Sequence, residues 1–139
     1  MVVLLGMRTK RFDGWLAAAV IAHLLISALH GRAHDGGHVA LTAGQSLFVY
    51  TVILAGPLVG LAVSFIRARL GGFIVAATMT ASLLFGLINH FIITSPDHVS
   101  QVNPEWRMLF TVTAYLLIAS ECAGVAAGMR TAVAREVES

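Results

Sequence analysis

Charge is scarce in this chain. Only 12% of its 139 residues are Asp, Glu, Lys or Arg, about half the share usual in a soluble domain. A single cysteine, Cys122, excludes an intrachain disulfide and a cysteine-based zinc site within this sequence. No nucleophile–base arrangement, phosphate-binding glycine loop or carboxylate pair for hydrolysis is present. The net charge is +2, but no basic groove with interleaved aromatics accompanies it, so nucleic acid is excluded as a partner.

What remains is apolar: 58% of residues are hydrophobic and the mean hydropathy is +0.84. The apolar residues gather into four blocks, which predict helices over about 12–31, 46–67, 71–94 and 105–130. Roughly 20 apolar residues in a helix cross the ~30 Å hydrocarbon layer. Lipid offers the backbone no hydrogen bonds, and the blocks lack the alternation of barrel strands, so helices are required. The expected fold is an all-α bundle of four transmembrane helices with short loops, one integral membrane domain over 1–139 in contact with the lipid bilayer.

Basic residues set the expected orientation. Arg8, Lys10, Arg11, Arg67, Arg69, Arg130 and Arg135 fall on one side of the four blocks and only Arg32 and Arg107 on the other. The excess belongs in the cytoplasm. Both termini are therefore expected there, in a cell inner (plasma) membrane. A cleaved secretory signal is the rival reading of the first block, but that run is long enough to span and His23 interrupts it.

Local grammar predicts several boundaries. Asn103-Pro104-Glu105 reads as a cap, a proline at the first helical position and an acid in the first turn. Ser95-Pro96-Asp97 repeats that pattern and predicts a short surface helix. Gly71-Gly72 predicts a tight turn between the second and third helices. Gly56-Pro57 predicts a kink, because proline lacks a backbone donor. Gly56 with Gly60, and Gly124 with Gly128, predict close helix contacts. Residues 24–30 resemble 83–90, each ending in a histidine, as a parallel two-plus-two duplication would produce.

The histidines are the least random feature. His30, His34, His38, His90 and His98 all lie toward the extracytoplasmic face, and only His23 is mid-membrane. If the first helix continues past Gly31, His23, Ser27, His30 and His34 form one stripe. A polar stripe is costly against acyl chains and should face inward. His30 and His90 end two helices at similar depth, as two ligands of one cofactor would. Asp35 adjoins His34 and Asp97 adjoins His98, so a carboxylate can complete or orient a ligand set. The candidate metal ligands are thus His30, His34, His38, His90, His98, Asp35 and Asp97, for copper, zinc or iron, with His30 and His90 as the pair for haem b. The flanking acid of a zincin is missing. Solvated loop histidines and a pH-sensing role are the competing explanations.

Glu121 lies deep in the fourth block. A charge there costs at least ~2.5 kcal/mol, so it should be neutral, paired or facing a cavity. His23 is at similar depth, and a buried His23–Glu121 pair is expected, as an interhelical lock or a proton relay.

Three functions compete: a metal- or haem-binding, redox-linked membrane protein; an accessory subunit or homo-oligomer within a larger membrane complex; and a small transporter or proton-relay protein using His23 and Glu121. The pattern resembles haem-b subunits and DoxX-like proteins in fold only, which assigns no activity.

Overall fold

The computed structural model describes residues 13–134. The termini that carry Arg8, Lys10, Arg11 and Arg135 lie outside the described residues. Four helices run Gly14–Gly36 (α1), Ala43–Ser64 (α2), Ala68–Ile92 (α3) and Pro104–Val133 (α4), each long and apolar enough to cross a membrane. The described residues contain no strand.

Asp13 starts α1 by accepting from the amides of Trp15 and Leu16 at 3.1 and 3.2 Å, which satisfies two of the donors a helix start leaves open. The helix does continue past Gly31, so His34 and Asp35 stand on its last turn and not in a loop. The chain then leaves through His38, whose positive φ of 56° makes the sharp exit. A reciprocal capping box between Thr42 and Gln45 opens α2. Asn103 and Pro104 open α4 as their order implies, with the Asn103 side chain accepting from Glu105 N at 3.0 Å.

Two sequence expectations are corrected. Gly71-Gly72 is no turn: the chain reverses at 65–67, and both glycines are buried inside α3. Ser95-Pro96-Asp97 starts no helix. That segment forms consecutive turns, closed by His98 N to Ser95 O at 2.9 Å and Gln101 N to His98 O at 2.8 Å. Val99 N also donates to His90 O at 3.0 Å, which folds the loop back onto the end of α3.

The outside of the bundle is apolar, and its interior mixes polar and apolar side chains. Leu25, Leu29, Leu47, Ile66 and Met108 are exposed, whereas His23, His30, Ser82, His90, Thr113 and Glu121 are buried. That is the distribution lipid favours, because acyl chains solvate leucine and not imidazole. The chain is accordingly a multi-pass membrane protein. α4 packs along α3 and α1, and α2 packs along α3. α2 meets α1 mainly through Gly56–Ser64, so the two diverge toward the histidine end. At the arginine end Leu16, Val20, Val75 and Met79 form a fully buried cluster. The expected small-residue contacts are present: a Cβ on Gly72 would stand 2.5 Å from Gly128 O.

A histidine cluster at one end of the bundle

Three helices deliver the cluster. His30 and His34 are one turn apart on α1. His90 comes from α3, where the last turn widens to a π-helix over Ile88–Ile92; such turns recur at functional sites because they re-aim one side chain. One ring nitrogen from each of His30, His34 and His90 lies within 4.8 Å of the others. Phe110 of α4 fixes the rings from behind, with centroids 4.6, 4.9 and 5.1 Å from those of His30, His34 and His90.

The hydrogen-bond partners determine the tautomers. Thr113 gives its own hydroxyl proton to Leu109 O at 2.7 Å, so it accepts from His30 Nδ1–H at 2.8 Å. His90 Nδ1 faces two acceptors, Asp97 O and Asp97 Oδ1, each at 3.1 Å, and therefore carries a proton. His30 and His90 thus spend Nδ1–H on an oxygen and turn the lone pair of Nε2 inward. His34 lies between two acceptors, Val39 O at 3.4 Å from Nδ1 and Asp97 Oδ1 at 3.3 Å from Nε2.

One contact between acceptors results: His30 Nε2 stands 3.2 Å from His90 Nε2. Asp97 is buried, and its Oδ1 is approached by both His90 Nδ1 at 3.1 Å and His34 Nε2 at 3.3 Å, while Oδ2 has no hydrogen-bond partner among the described residues. Facing lone pairs in a dry place repel, and a buried carboxylate is costly unless positive charge accompanies it. A cation among these atoms would offset both.

Below the cluster a cavity of about 600 Å³ runs between α1 and α2 to Ser82 and Glu121. Its walls are largely apolar, formed by Leu24, Ile53, Leu54, Phe85, Leu117 and Ile118. The volume lies in the range of small-molecule sites.

The expected ligands divide. His30, His34, His90 and Asp97 come together. His38 is exposed. His98 turns away to bond the Ser100 hydroxyl at 2.8 Å, because the turns at 95–101 point the two neighbours Asp97 and His98 in opposite directions. Asp35 is exposed and reaches the cavity mouth without touching the cluster. Glu121 and His23 do meet, with Nδ1 and Oε1 at 4.0 Å, but the direct partner of Glu121 is Ser82, whose hydroxyl donates to Oε1. Thr113, Phe110 and Ser82 were not foreseen. Threonine and serine are routine on membrane helices, and only the helix phase relative to His30 and Glu121 singles these out.

Fold and site together define a membrane protein with four candidate spans, in which buried His30, His90 and Asp97 and partly buried His34 form one cluster. No protein-family model, curated protein or solved structure matches the chain.

Proposed function

We propose that this protein binds a transition-metal ion through His30, His34 and His90, with Asp97 supplying the negative charge, at the extracytoplasmic end of the bundle. The observation that carries this is the convergence of one ring nitrogen from each of three histidines within 4.8 Å of one another, beside the buried Asp97 carboxylate. In His30 and His90 the other nitrogen is held by an oxygen, the arrangement that fixes metal-binding histidines elsewhere. Two nitrogens bound tetrahedrally to one zinc-sized ion stand roughly 3.3 Å apart, close to the 3.2 Å between His30 and His90. The third nitrogen closes the set by moving His34 inward.

Imidazole donors suit zinc, copper, iron and nickel, and the carboxylate adds a hard oxygen. A single ion fits better than haem b. Axial imidazoles of haem stand on opposite faces of a flat macrocycle, whereas the rings of His30 and His90 are 4.9 Å apart with His34 and Phe110 packed against them. The orientation, with Arg67, Arg69 and Arg130 on the cytoplasmic side of an inner membrane, rests on the positive-inside rule.

The test is metal titration of the chelator-stripped protein in detergent, with Co(II) as the visible probe and Zn(II) as competitor. Tight binding is expected in the wild type, in His38→Ala and in His98→Ala. A folded variant carrying His30→Ala with His90→Ala loses that binding. Equal titration of wild type and double variant overturns the proposal.

A further inference from the structure

A second site lies deeper in the same cavity. It begins with a proline. Pro57 has no N–H to give the Ile53 carbonyl four residues back, and α2 widens to a π-helix over Val49–Ala55 just before it. The Ile53 carbonyl is taken by His23 instead, which donates from Nε2 at 3.1 Å. That bond leaves His23 Nδ1 as a bare lone pair. The residue is 0% exposed, and Nδ1 has no hydrogen-bond partner among the described residues. It points at Glu121 Oε1, 4.0 Å away, and the Ser82 hydroxyl lies on that same carboxylate oxygen.

We infer that His23, Ser82 and Glu121 form a second metal-ion position, midway through the membrane and reached from the three-histidine site through the cavity between α1 and α2. The inference rests on the three-histidine site as the point of entry. Three features support it. The donor set of one imidazole nitrogen, one carboxylate and one hydroxyl suits the same borderline cations as the upper site. The tautomer of His23 is held by a carbonyl, just as Nδ1 is held by oxygen in His30 and His90. The 4.0 Å gap is too wide for a proton to bridge as a hydrogen bond, and an inward movement of either side chain by well under ~1 Å brings it to the roughly 3.3 Å of two tetrahedral ligands.

One cavity touches both positions: Glu121, Ser82, His30, His34, His90 and Asp97 all line it, and the fully buried His23 stands behind Glu121. Thr113 and Glu121 are eight residues apart on α4, so the two stations are separated by roughly 12 Å. Beyond Glu121 the buried cluster of Leu16, Val20, Val75 and Met79 closes the bundle. The two positions thus share one cavity, and the apolar cluster blocks the bundle beyond it. The ligand class is a divalent transition-metal ion that sheds water at the upper histidines before entering an apolar passage.

Binding stoichiometry tests this. The full chain in detergent, stripped of metal and titrated with Co(II), is expected to take up two equivalents. Glu121→Gln is expected to take up one, with the upper site intact, and Ser82→Ala to weaken only the second equivalent. One equivalent in the wild type, unchanged in Glu121→Gln, overturns the second position and leaves the three-histidine reading standing. No uptake in the wild type removes both. Unaltered thermal unfolding of Ser82→Ala separates loss of a ligand from loss of fold.

Discussion

Thr113 shows how one hydroxyl can set the chemistry of a neighbour. By giving its proton to the Leu109 carbonyl it can only accept from His30, and this turns the His30 Nε2 lone pair toward His90. Partners of this kind are typically worth tenfold to hundredfold in metal affinity. Thr113→Val, nearly the same in shape, is therefore expected to weaken Co(II) binding by about that factor while leaving the fold intact; unchanged affinity would show that Phe110 packing alone orients the ring. The residue scale is also where sequence reasoning was least complete. Asp35 and Asp97 each adjoin a histidine and could not be distinguished by spacing. Their difference arises from backbone direction: Asp35 sits on the outward side of the last turn of α1, while the turns closed by His98 N–Ser95 O and Val99 N–His90 O tuck Asp97 under the rings.

Among elements, the close approach of α3 and α4 supports the site from below. A Cβ on Gly72 would meet Gly128 O at 2.5 Å and Ala132 N at 2.8 Å, both backbone atoms that cannot swing aside. Gly31 on α1 has nothing within 4 Å of such a Cβ. Gly72→Ala should therefore cost about 1–3 kcal/mol through overpacking, whereas Gly31→Ala should be neutral or gain up to ~1 kcal/mol from lower backbone entropy in the unfolded chain. Thermal unfolding in detergent measures both, and equal midpoints for the two variants would contradict the packing argument. The two π-turns belong to this scale as well. One precedes Pro57 and accompanies the carbonyl His23 uses; the other carries His90. The sequence predicted a disturbance at Pro57 from its missing donor, but no residue type announces the widened turn at Ile88–Ile92.

Across the whole molecule, the first and last helices are tied at the arginine end by Asp13. Its carboxylate accepts from Thr131 Oγ1 at 2.6 Å and from Arg130 at 2.8 Å while also capping α1. Partial burial raises the Asp13 pKa, but the Thr131 hydroxyl, the Leu16 amide, Arg130 and the Trp15 amide outweigh it, and the net result lies below the ordinary 3.8. A depressed carboxyl pKa stabilises the folded state above the unfolded value, and that stabilisation is lost as pH falls through the folded value. Asp13→Asn retains a capping oxygen and removes the charge. It should lower stability at neutral pH by about 1 kcal/mol or less, since an exposed ion pair contributes little more. The gap to the wild type should close below pH ~4; a gap independent of pH would mean that charge plays no part in the tie.

The number of spans, their approximate limits and the inward placement of the polar stripe were determined by the sequence alone, because lipid allows few solutions for long apolar runs with rare polar residues. So was the prominence of His30 and His90, since both end apolar helices at the same depth. Which further groups join them was decided only by the tertiary structure. His34 was already marked by its place on the His30 stripe, but the arrival of Asp97, exclusion of His38 and His98, and the meeting of Ser82 with Glu121 depend on the rotation of each helix about its axis and on how the 95–101 turns fold back. Those angles follow from packing between segments far apart in the chain, which local residue patterns do not encode.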